Sequence, residues 1–126
     1  VIRRFVENLE KSIVSNPVVL SSNIQKHLGP TNNTVYVKGS IIFIDSSVLD
    51  IAIFANKTST VISIEKYRFQ YMDKQGQMLF RYDNAPHHPE LSSFPEHKHV
   101  GDRTISLPQP DLKNIFNEIT ALILKK

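Results

Sequence analysis

Four runs of β-branched and aromatic residues, VYVKGSIIFI (35–44), VLDIAIFA (48–55), VISIEKYRFQYM (61–72) and QMLFRYD (77–83), follow one another with only short polar segments between them. Such runs suit a pleated, half-buried surface. Two of the connections read as hairpin turns: Asp45-Ser46-Ser47, and Asp73-Lys74-Gln75-Gly76, where the glycine can take the left-handed conformation. The middle of the chain is therefore expected to be antiparallel sheet. A weaker alternation in VVLSSNIQKHLG, with Val18, Leu20, Ser22 and Ile24 on one parity, adds an edge strand and brings the total to about five.

Both ends have helical periodicity instead. Ile2, Phe5, Val6, Leu9 and Ile13, with Val14 beside them, recur at helical spacing before Asn16-Pro17 supplies a stop. Leu112, Ile115, Phe116, Ile119, Leu122 and Ile123 do the same near the C-terminus, with Pro110 expected in the first turn and Lys125-Lys126 complementing the dipole at the last. A chain of 126 residues supports one hydrophobic core, so the expectation is a single α+β domain over 1–126. Its order is N-terminal helix, about five antiparallel strands, a long His/Pro-rich loop and a C-terminal helix.

The third strand run carries an irregularity. Ile62 and Ile64 are apolar on even positions, whereas Tyr67, Phe69 and Tyr71 are aromatic on odd ones. A β-bulge near Glu65-Lys66 would account for the change of parity, and so would a strand buried on both faces.

Composition excludes several classes of function. With no cysteine, thiolate catalysis and cysteine-ligated zinc are ruled out, and a cytoplasmic location is expected. No apolar run approaches the roughly 20 residues that span a bilayer, and no signal peptide is recognisable. A net charge of +3 is a mild basic bias that permits an RNA or acidic partner without requiring one. The four glycines form no phosphate-binding loop, which disfavours a nucleotidyl-transfer enzyme.

Four of the five histidines, His87, His88, His97 and His99, fall within DNAPHHPELSSFPEHKH (83–99), together with three prolines. Prolines at 86, 89 and 95 exclude a helix or central strand across the stretch and stiffen it. His97-x-His99 on an extended segment directs both rings to one side, and His87 or His88 would join them if the loop folds back. Three readings follow. The rings could act as general base and acid, since histidine titrates near neutrality. They could ligate a divalent metal with Asp83, Glu90, Glu96 or Asp102. They could also simply anchor loop backbone.

The preceding hairpin supplies the other candidates. A four-residue loop after Met72 would place Arg68 opposite Arg81, with Tyr67 facing Tyr82 and Phe69 facing Phe80, whereas a bulged turn at Gly76 would separate the arginines. Opposed guanidinium groups suit a phosphate between them. The aromatic residues read either as core or as platforms for bases. Between Glu65 and Arg103 there are six basic and six acidic residues, so anion binding here is expected to strengthen as the histidines charge below a pH of about 6.5.

Residues 66–102, and above all FRYDNAPHHPEL and FPEHKH, closely resemble the TumE-like family of small prokaryotic toxins. GSIIFIDSSVLDIAIF (39–54) looks like that family's paired strands, with Asp45-Ser46-Ser47 where a glycine-bearing turn is more usual. The resemblance implies the toxin of a toxin-antitoxin module, partnered by an antitoxin that typically resembles a helix-turn-helix DNA binder. It carries over no catalytic residues. The matching positions are Tyr67, Arg68, Tyr71, Arg81, Tyr82, Asp83, Asn84, His87, His88, His97, Lys98 and His99. By analogy with other small toxins, the leading expectation is RNA cleavage without an obligatory metal. His87, His88, His97 and His99 are the catalytic candidates. Tyr67, Arg68, Tyr71, Arg81, Tyr82, Asp83, Asn84 and Lys98 are the substrate-binding ones. No cofactor is expected. A metal-dependent nuclease with a His cluster, and a non-catalytic module using the loop to bind a protein, are the alternatives.

Overall fold

A computed structural model describes residues 1–86 and 88–125. Helix α1 spans Ile2–Val14 and buries Ile2, Val6, Leu9 and Ile13, the stripe expected from its periodicity. Seven strands follow: β1 Val19–Leu28, β2 Thr34–Phe43, β3 Val48–Thr58, β4 Val61–Met72, β5 Met78–Asp83, β6 His97–Val100 and β7 Arg103–Ile105. They form one antiparallel meander in which every strand pairs with its sequence neighbour. Helix α2, Leu112–Leu124, closes the chain.

The α+β architecture agrees with expectation, but the sheet has seven strands rather than about five. The two additional strands come from the stretch read as loop. Pro95 is the last proline before Pro108, and HKHVGDRTI between them is proline-free, with Gly101 at φ 60° turning β6 into β7. Helix α2 begins two residues later than Pro110, because the Asp111 carboxylate caps it by accepting from the Asn114 amide at 2.8 Å.

Both helices cover the same face of the sheet. Phe116 packs edge-on against Phe43 in a core that includes Val35, Val37, Leu49, Ile51, Ile53, Phe69 and Phe80. Midway along α2, Glu118 accepts from the Tyr82 hydroxyl at 2.8 Å and from Lys98 Nζ at 2.6 Å. Those contacts fasten the helix to β5 and β6. No helix crosses the opposite face among the described residues.

Of the three register shifts in the sheet, two lie around β4 and set its pairing. Phe54 pairs with Lys66 but Ala55 pairs with Ile64, leaving Glu65 as the extra residue. The expected parity change is thus a bulge, and it places Tyr67, Phe69 and Tyr71 in the core. Farther on, the turn closes as a pairing of Asp73 with Gln77, and Leu79 is a second extra residue. Together these move the partner of Arg68 by two positions. Arg68 faces Asp83, Phe69 faces Tyr82 and Gln70 faces Arg81, so the two arginines are not opposed.

Candidate active site

Pairing of β5 with β6 creates the site. Asp83 lies opposite His97 and Arg81 opposite His99, and residues two apart on a strand share a face. All four side chains therefore project from the side of the sheet away from the helices. Asp83 is the hub. Its Oδ1 lies 2.8 Å from His97 Nε2 and accepts from the Ala85 amide at 3.0 Å; its Oδ2 accepts from Arg81 Nε at 3.0 Å. His99 Nε2 approaches Oδ2 to 3.6 Å. Asp83 is 6% exposed and His97 2%, so solvent screens the pair little.

His97 is saturated. Its Nδ1 donates to the Pro95 carbonyl at 2.8 Å, and a carbonyl can only accept. Its Nε2 faces a carboxylate oxygen, so a proton must also lie between those two atoms. His97 is thereby fixed in orientation, with no nitrogen lone pair left over.

Residues 88–96 fold back over these rungs. Leu91 N bonds to the His88 carbonyl, Phe94 N to that of Leu91 and Glu96 N to that of Ser93, while the Ser93 hydroxyl also donates to Glu96 O. Ser106, beyond β7, ties the segment down through Ser92 Oγ and the Ser93 amide. His88 arrives above the two strand histidines as a result. Ring centroids lie 5.1 Å apart for His88 and His97, 5.8 Å for His88 and His99, and 4.8 Å for His97 and His99. One nitrogen of each ring lies within 4.8 Å of the others. His88 Nδ1 is 3.2 Å from Glu90.

Burial holds the His99 pKa below the ordinary value of 6.5, and the Arg81 guanidinium and the two neighbouring rings push it the same way, against Asp83. His99 is consequently neutral at pH 7, with Thr104 Oγ1 3.4 Å from its Nδ1. A neutral imidazole beside an arginine and a second, partly exposed imidazole can exchange protons with a bound anion. The same three rings could converge on a metal only if His97 gave up one of its two hydrogen bonds.

The family model described as Toxin TumE matches residues 9–123. The chain belongs to the TumE toxin family. No curated protein and no solved structure matches it. Membership implies a cognate antitoxin as partner. No helix among the described residues is long and apolar enough to cross a membrane.

The TumE-like stretch divides between site and scaffold. Asp83, Arg81, His88, His97 and His99 converge, and Arg68 lies beside Asp83 on the same face. His87 lies outside the described residues. Tyr67 and Tyr71, 4% and 1% exposed, stand in the core instead. The Tyr71 hydroxyl donates to Ser47 at 2.7 Å, whereas the buried Tyr67 hydroxyl has no hydrogen-bond partner among the described residues. Burial, with Glu96 and Asp83 nearby, pushes the Tyr67 hydroxyl far above the usual phenol range. Tyr82 and Lys98 belong to the Glu118 anchor, where Lys98 also sits 4.8 Å over the Tyr82 ring. Burial lowers the Lys98 pKa, but bonding to Glu118 and Tyr82 outweighs it and the net shift is upward.

Asn84 has a structural task. Its Oδ1 accepts from Tyr67 N at 3.1 Å and its Nδ2 donates to Glu65 O at 2.9 Å, so the side chain continues the ladder beyond the end of β5 and pins the bulge. Thr104 had no local signal, because its contact with His99 depends on the unanticipated pairing of β6 with β7.

Proposed function

We propose that this TumE-family toxin is a metal-independent ribonuclease. The observation that carries the reading is the saturated His97–Asp83 pair set beside His99, whose pKa is lowered, and His88, which stands over both. His99 accepts the proton of an RNA 2′-hydroxyl, the 2′-oxygen bonds to the adjacent phosphorus, and the bond from phosphorus to the 5′-oxygen breaks. His88, with Nδ1 engaged by Glu90, gives the departing 5′-oxygen its proton from the other nitrogen. The products are a 2′,3′-cyclic phosphate and a 5′-hydroxyl, and the protons balance.

Arg81 uses Nε for Asp83, and its terminal nitrogens enter no hydrogen bond among the described residues, which supports a role in binding phosphate. His97 is a positioning residue: it orients Asp83, which in turn aligns Arg81. The metal-dependent alternative rests on the approach of three ring nitrogens within 4.8 Å. Acid–base chemistry is favoured over it because both His97 nitrogens already face acceptors.

The test is labelled RNA incubated with purified protein in EDTA. Cleavage in EDTA, lost in His99→Gln, is the expected result. Cleavage only on adding Mn2+ or Zn2+ would replace the acid–base reading with the metal-dependent one. Growth arrest without cleavage under either condition would leave the protein-binding alternative.

A further inference from the structure

The histidine site occupies one end of a sheet face that no helix among the described residues covers, and the register shows what the rest of that face carries. Lys38, Ala52, Arg68, Asp83 and His97 form one continuous row across β2 to β6. Its length is four strand steps, about 19 Å at the usual spacing. In the middle the small side chain of Ala52 leaves a shallow concavity of about 360 Å³, bordered by Lys38, Arg68 and Tyr36.

Three features of the face point to an anionic, base-bearing occupant. Lys38, Lys66 and Arg68 are exposed and enter no ion pair or side-chain hydrogen bond among the described residues. Asp50, the acid within the concavity, is engaged by the Ser40 hydroxyl at 2.7 Å. Tyr36, 40% exposed, and its cross-strand neighbour Phe54 present aromatic rings on the same face as these cations. Cations that track a backbone, interleaved with rings on which bases stack, suit a single strand. A duplex keeps its bases stacked inside and offers such rings nothing to bind.

We infer that this face is a track for single-stranded RNA, running from Tyr36 and Lys38 on β2 across Arg68 to the histidines. The inference rests on the ribonuclease reading, since it supplies the substrate of that site. The concavity holds the nucleotides on one side of the cleaved bond and fixes the register of the strand over His99.

The test uses a fluorescent, 2′-O-methylated single strand of about eight nucleotides, a length in the range such surfaces cover. Methylation removes the attacking hydroxyl, so binding is read without cleavage. Anisotropy is measured for the wild type, Tyr36→Ala and Lys38→Met, with the strand alone or annealed to its complement. Melting curves establish that each variant is folded, as expected for exposed positions.

Expected results are preference for the single strand, loss of at least about five-fold in affinity for Tyr36→Ala, and a salt dependence shallower by about 0.7 in log–log slope for Lys38→Met. Equal binding of the duplex, or affinities within about two-fold of wild type for both variants, would overturn the track. If native RNA is nevertheless cut, the nuclease reading survives that result. Binding that depends on Tyr36 and Lys38, without any cutting, would keep the track and remove the chemistry. Unchanged RNA binding with antitoxin binding lost in both variants would overturn the track and assign the face to the protein partner.

Discussion

Asp83→Asn is the substitution to which the site should be most sensitive, because it keeps shape while removing charge. Oδ1 accepts from the Ala85 amide and faces His97 Nε2, and Oδ2 accepts from Arg81 Nε. An amide oxygen can replace only one of these two atoms. In either orientation the amide nitrogen, a donor, faces another donor at about 3 Å. Breaking a buried ion pair from one side costs about 3–5 kcal/mol. Arg81 is one-third exposed and partly rescued by water, so the lower end, about 3 kcal/mol, applies. With an unfolding entropy near 2.1 cal/mol/K per residue over 126 residues, that corresponds to a fall in Tm of about 11 °C.

Chemical denaturation at pH 7 gives the free energy directly, and a double-mutant cycle with His97→Gln isolates the pair. Coupling of about 1.5 kcal/mol or more is expected, as for hydrogen bonds to charged groups. Asp83→Asn within about 0.5 kcal/mol of wild type, or coupling that small, would refute the placement of Asp83 as hub.

Other expectations follow from particular contacts. Tyr67→Phe removes a buried hydroxyl without a partner among the described residues, so it should leave stability unchanged or raise it by about 1 kcal/mol; a loss of that size in urea denaturation would mean the hydroxyl is bonded. Glu118→Gln removes the charge shared by Lys98 and Tyr82 and should cost about 1–2 kcal/mol, read by the same method. A lowered His99 pKa means that the ring stays neutral as pH falls through 6.5 and charges only below it, so the acid limb of kcat/KM for RNA should have its midpoint below 6.5. Arg81→Gln removes one of the charges that lower it and should move that limb to higher pH; a limb at or above 6.5 in the wild type would exclude His99 as the base. Asn84→Ala should loosen the bulge it pins, seen as faster amide exchange at Tyr67.

What the sequence alone determined is the set of features that depend on neighbours a few residues away. Helical and alternating periods assigned faces to α1, α2 and the strands. The change of parity around Glu65 marked where the strand departs from simple alternation, and the pairing with β3 made it a bulge. The i, i+2 spacing of His97 and His99 put both rings on one side of their strand. A local pattern says which way a side chain points but not what it meets. The partner of Arg68 turned from Arg81 to Asp83 because the turn closes as Asp73–Gln77 and Leu79 bulges, two one-residue choices that leave the face pattern unchanged. β6 and β7 are too short to register by periodicity beside the prolines, and they hold together through pairing with β5 and each other. His88 reaches His97 and His99 only because the intervening loop is tied to Ser106, beyond β7. Asp83 became the centre of the site in the same way. Its partners sit two to sixteen residues away in sequence, and only the pairing of β5 with β6 brings Arg81, Ala85, His97 and His99 around one carboxylate.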